Sequence, residues 1–226
     1  MSAPPGQPLI LRASTESARL DVVAEDRADI AVDGDIAVPS GGVVTVATSS
    51  RALVVRVPVG TELVVGTTSG RVRVRGPAGA TKVATESGRV EIEQAERVDV
   101  RTQSGRVDVG ACAQRCLVQT ESGRVTVQRA GGLAAHTRSG RVSVDAAHGD
   151  VEVRTTSGRV NVALDAAAVV DAETVSGRID ITVGEGLGAR LDEASEGRRI
   201  DIDARAGDDC LIRTRAVSGR IRVRDR

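Results

Sequence analysis

The chain has 226 residues, no Phe, Tyr or Trp, and 31 Lys+Arg against 31 Asp+Glu, a formal net charge of zero. That balance argues against a non-specific nucleic-acid binder, which needs a basic excess, and no stretch approaches the roughly 18 consecutive apolar residues of a membrane span. Aromatic rings normally carry much of the burial in a core, so a chain this long without them needs a core too narrow for rings, built from Val, Ile, Leu, Ala and Thr.

In chain order, the opening MSAPPGQPLILRAS has no basic n-region followed by an apolar run, so the expected location is cytoplasmic. Through residue 60 the pattern is irregular: ARLDVVAE, ADIAVDG, GVVTVAT and RALVVRVPVG read as short strands separated by turns. Repeat arrays need atypical end units to cover the core and the sheet edges. Residues 1–60 are expected to fill that role for one continuous repeat domain over residues 61–226.

From there the tripeptide Ser-Gly-Arg recurs, with Gly70, Gly88, Gly105, Gly123, Gly140, Gly158, Gly177 and Gly219 at its centre and a degenerate copy, SEGR, at Gly197. The period is 17 or 18 residues in the early copies and longer in the last ones. After each Arg the chain alternates, as in Val72-Arg73-Val74, Val125-Thr126-Val127 and Ile179-Asp180-Ile181. Before each Ser it alternates again, as in Val98/Val100/Thr102/Ser104 and Val151/Val153/Thr155/Ser157. Period two marks a strand with one buried face, and the template is V-x-V-x-T-x-S-G-R-V-x-V. The parity breaks at Gly, so one strand cannot run straight through. The expectation is a corner in which Gly supplies a positive φ.

A unit this short cannot bury its own apolar side, but stacked units can, each strand pairing in parallel with its equivalent one coil away. The fold class expected is all-β: a single-stranded parallel β-helix, or β-solenoid, of about 17–18 residues per coil with an irregular β-strand cap at its N-terminal end. Val then stacks on Val inside, and Thr also lies inside with a hydroxyl free to bond a neighbouring coil. Outside, Arg71, Arg89, Arg106, Arg124, Arg141, Arg159, Arg178 and Arg220 form a ladder. Such a row fits a linear acidic polymer, unless Glu86, Glu91, Asp108, Glu121 and Asp180 neutralise it. The final strand, IRVRDR, shows no capping element, so Ile221, Arg222 and Val223 are expected to be an open edge for pairing with another chain.

Other features point to packing. Cys112, Cys116 and Cys210 have no zinc-type spacing and read as small reduced core or turn residues. The Gly-rich stretch Gly184–Arg190 lacks the Gly-Lys-Ser/Thr of a phosphate loop. The acids are spread evenly, and no Ser/His/Asp or Cys/His constellation stands out. No catalytic residue, metal or cofactor is expected.

RALVVRVPVGTELVVGTTSGRVRVRG and VEVRTTSGRVNV resemble a family of bacterial β-strand-repeat domains of unknown function that carries an adhesin label. Members lead a V-x-V-P-x-G-x-x-L-x-V segment into repeated T-x-S-G-x-V-x-V units, matched here by Val55–Val65 and the eight Ser-Gly-Arg copies. The resemblance covers roughly residues 50–226; it implies a parallel β-helix and no particular activity. Bactofilin-type β-helix scaffolds are similar in coil length and in lacking aromatics, without a sequence match. The function expected is a non-enzymatic structural scaffold that self-assembles end to end into oligomers or filaments through its last coil. The alternative is an adhesin-like or polyanion-binding module that uses the Arg ladder.

Overall fold

The computed structural model describes residues 9–37, 39–193 and 200–226; Gly197 and its SEGR copy lie outside them. Among the described residues there are twenty strands and no helix, and the chain divides into two compact units, residues 1–113 and 114–226.

The first unit contains β1 (Ile10–Thr15), β2 (Arg19–Glu25), β3 (Ile30–Val32), β4 (Asp35–Ala37), β5 (Val43–Thr48), β6 (Leu53–Pro58), β7 (Glu62–Thr67), β8 (Arg71–Thr85) and β9 (Arg89–Thr102). The division falls within β10 (Arg106–Thr120). β7 pairs with the second half of β8, and β8 with β9, parallel and residue for residue. The inward row is buried throughout, as at Val72, Val74, Val90, Val100 and Val107. Fully burying a Val contributes about 1.5–3 kcal/mol, and in-register Val stacks leave no space for a ring, which accounts for the missing aromatics.

β1 and β2 precede β5 and β6 in the chain but lie inside them. β1 pairs with both β5 and β7, and β2 with both β6 and β8. The hairpin β3–β4 is antiparallel, and β3 also runs antiparallel along β6, covering that edge. Residues 10–25 are therefore a regular coil. Their sequence TESARLDV is a copy of TESGRVEI with Ala18 in the place of Gly, and Thr15 and Arg19 stand in register with Thr67 and Arg71. This copy lies outside the Ser-Gly-Arg pattern because Ala18 replaces its Gly.

The second unit contains β11 (Arg124–Thr137), β12 (Arg141–Ala147), β13 (Val151–Thr155), β14 (Arg159–Leu164), β15 (Val169–Thr174), β16 (Arg178–Val183), β17 (Ala189–Glu193), β18 (Ile200–Asp203), β19 (Cys210–Ala216) and β20 (Arg220–Asp225). One sheet stacks β11, β13 and β15, and the other stacks β11, β12, β14 and β16, all parallel. The order then inverts. β19 pairs with β15 on one side and β17 on the other, and β20 pairs with β16 on one side and β18 on the other.

This overturns the expected open edge. Ile221, Arg222 and Val223 sit in an interior strand, with Ile221 facing Ile179 and Ile200 across the two ladders. Ile221 and Val223 are fully buried. Arg226 donates its backbone N–H to Val183 and a guanidinium N–H to Asp165. An excursion through β17–β18 forms the outer coil, and the chain returns beneath it, so the strand predicted to be free already has both partners.

The corners also differ from expectation. None of the corner glycines has a positive φ; among the described residues that conformation occurs at Asp33, Gly34, Gly41, Gly42, Gly60, Gly76 and Gly186. The corner needs Gly because coils approach closely there. A Cβ on Gly140 would lie 2.5 Å from the carbonyl oxygen of Gly123, and one on Gly177 would lie 2.5 Å from that of Gly158. The Thr hydroxyl bonds within its own coil, not to a neighbour. The N–H of Gly70, Gly88, Gly105, Gly123, Gly140, Gly158 and Gly177 each donates to Oγ1 of the Thr three residues earlier, at 2.8–2.9 Å.

The T-x-S-G sequence is thus a side-chain-capped turn. Thr155→Val should leave the buried Gly158 N–H without its acceptor and cost about 1–3 kcal/mol, read as a lower urea midpoint that Thr155→Ser recovers. Equal midpoints for the Val and Ser variants would contradict the cap.

Candidate anion-binding site

At six corners the arginine backbone N–H donates to the Gly carbonyl of the coil before it, as Arg141 does to Gly123 and Arg178 to Gly158. In-register parallel pairing then superimposes the side chains. In the second unit Arg124, Arg141, Arg159, Arg178 and Arg220 are consecutive partners across the ladders. In the first, Arg19, Arg71 and Arg89 are consecutive partners, which adds Arg19 to the row the motif identified. Arg106 opens β10 at the next corner of that unit.

The two rows differ in their electrostatics. In the first unit carboxylates meet two of the four guanidiniums, those of Arg19 and Arg89, while Arg71 and Arg106 make no ion pair among the described residues. Arg19 pairs with Asp21 at 2.9 Å, and Arg89 pairs with Glu91 at 2.7 Å and with Asp108 at 3.5 Å. Burial opposes the charge on Glu91, but the hydrogen bond from Arg73 and the charges of Arg73, Arg89 and Arg71 outweigh it and hold the carboxyl below its ordinary range. There the neutralisation expected from Glu91 and Asp108 is present.

In the second unit the corresponding outward positions carry Thr126, Ser143, Asn161, Asp180 and Arg222. Among the described residues, none of the five ladder guanidiniums there makes an ion pair, and Glu121 and Asp180 are not within pairing distance of them. Two unit charges at the roughly 4.8 Å spacing of adjacent strands repel by about 1 kcal/mol in bulk water. This row is held at that cost by the backbone register alone.

The bare row lines an open groove of about 690 Å³ formed by the Ser-Gly-Arg triplets at 122–124, 139–141, 157–159, 176–178 and 218–220. Its backbone donors are already engaged: the Ser139 N–H with Glu121, the Gly140 N–H with Thr137 and the Arg141 N–H with Gly123. The groups left to meet a ligand are guanidiniums and exposed serine hydroxyls. The outer face of the other sheet in the same unit is self-neutralised. Arg154 bridges Glu152 at 3.0 Å and Glu173 at 3.4 Å, while Arg213 lies between Asp171 and Asp192 at 3.8 and 3.9 Å.

The cysteines sit in the packed interior: Cys112, Cys116 and Cys210 are buried, and burial raises the Cys210 thiol above its ordinary range. No described helix is long and apolar enough to cross a membrane.

The family model described as Toastrack DUF4097 matches residues 12–224. The match bears out a β-repeat family of unknown function; it carries neither an adhesin role nor a likeness to bactofilins. No curated protein and no solved structure matches the chain.

Proposed function

The chain belongs to the Toastrack DUF4097 family, and from that premise we propose a non-enzymatic role in which the solenoid displays the arginine corner of its second unit to a linear polyanion. The observation that carries this reading is the unpaired, in-register row Arg124, Arg141, Arg159, Arg178 and Arg220 beside ion-paired arginines elsewhere on the chain. Guanidinium groups are forks suited to carboxylate or phosphate oxygens. An anion on the groove would relieve the repulsion along the row. The lining of Ser, Gly and Arg supplies no group that titrates near neutrality, so the groove favours retention over proton-transfer chemistry. The scaffold reading keeps its rigid solenoid but loses the assembly edge first assigned to it, because β20 is interior.

The test is a titration with heparin at several salt concentrations. The wild-type chain should bind with an affinity that falls steeply as salt rises. Arg141→Ser/Arg159→Ser/Arg178→Ser should weaken binding about a hundredfold or more, given about 1.5–3 kcal/mol per hydrogen bond to a charged group. Its melting temperature should be unchanged or higher, since repulsion is removed. Arg71→Ser/Arg89→Ser should leave binding within a few-fold of wild type. Absence of wild-type binding at low salt, or equal losses in both variants, would refute the proposal.

A further inference from the structure

Resting on the reading of the arginine corner as a polyanion site, we infer that its ligand is a hydroxyl-bearing acidic polysaccharide. The evidence lies in the second row of the groove. Ser139, Ser157, Ser176 and Ser218 are exposed beside the arginines. Each donates its hydroxyl proton to a carbonyl of the coil before it: Ser139 to Glu121 at 3.5 Å, Ser157 to Arg138 at 3.3 Å, Ser176 to Thr156 at 3.3 Å and Ser218 to Val175 at 3.1 Å.

A hydroxyl has one proton to give and two lone pairs that accept. A ligand that leaves these bonds in place meets acceptors along the serine row and donors along the arginine row. A ligand that uses both rows must carry anionic oxygens on one side and O–H donors on the other. A uronic-acid polymer has that pattern, with a carboxylate and hydroxyls on each sugar. An inorganic phosphate chain carries acceptors only and leaves the serine row unmatched.

Nucleic acids fit less well. Single-strand sites depend on aromatic stacking platforms, and this chain has no aromatic residue. A B-form strand advances about 3.4 Å per phosphate against about 4.8 Å per coil, so its charges drift out of step along the row.

The experiment compares polygalacturonate, linear polyphosphate, uncharged dextran and a single-stranded oligonucleotide on the full chain, in wild type and in Ser139→Ala/Ser157→Ala/Ser176→Ala. Polygalacturonate should bind about tenfold or more tightly than polyphosphate at matched charge and salt, and dextran should not bind. The serine variant should lose most of that preference by weakening polygalacturonate alone, with its polyphosphate affinity unchanged. If polyphosphate or the oligonucleotide binds as tightly as polygalacturonate, or if the serine variant leaves the ratio intact, the polysaccharide inference is overturned while the arginine site stands. If none of the anions binds, both fall.

Discussion

Gly177→Ala is expected to cost about 3–5 kcal/mol, the range reached when a backbone clash cannot relax. The added Cβ would lie 2.5 Å from the Gly158 carbonyl oxygen, 2.7 Å from Thr174 Oγ1 and 3.1 Å from Thr155 Cγ2. None of these can withdraw cheaply. The Gly158 oxygen accepts the Arg178 N–H at 2.9 Å, and Thr174 Oγ1 accepts the Gly177 N–H at 2.8 Å. Relief therefore breaks either the ladder or the cap. The control is Gly66→Ala, where nothing lies within 4 Å of the new Cβ and the lost unfolded-chain entropy makes the change neutral or stabilising by about 0.4–1 kcal/mol. Urea unfolding of the two variants measures the contrast. Similar midpoints would show that the corner glycine is kept for some reason other than close approach.

Ile221→Asp should destabilise the C-terminal coils by about 4 kcal/mol or more, combining the lost burial of a large side chain with a carboxylate taken out of water and left unpaired. Ile221 lies between Ile179 and Ile200 in the ladder and is fully buried. Because β17–β18 rests on β19–β20, the loss should spread outward. Amide exchange protection should fall over residues 189–192 and 200–203 as well as over β20. Ile202→Asp is the counterpart: its side chain is 44% exposed, and the change should stay within about 1 kcal/mol. If exchange rises only within β20, or if the Ile202 variant is the more damaging, the inverted strand order is wrong.

Much of the coil was legible because its determinants are local. Alternation on either side of Ser-Gly-Arg named the buried row, and Val72, Val125 and Ile179 are all buried. The arginine register followed from the period, and the pairings of Arg141 with Arg124 and Arg159 agree with it. TESARLDV at residues 15–22 was also readable, had the template admitted Ala18 for Gly. The role of the corner glycine was misread because a broken parity shows that the chain turns, but not whether φ or the neighbouring coil requires Gly.

What the sequence determined by itself is the repeat: two short strands per coil, a corner at Ser-Gly-Arg, a thin aliphatic core and an outward arginine. Each of these depends on residues within one period, where steric parity acts. Tertiary structure alone decided the order of the coils at either end, since strands inserted beneath a later or earlier excursion obey the same alternation as strands added in turn. It also decided which arginines are neutralised. Ion pairing depends on which side chains face one another across coils: Glu91 and Asp108 meet Arg89 in the first unit, while the second sets Thr126, Ser143 and Asn161 along its row and leaves the guanidiniums bare.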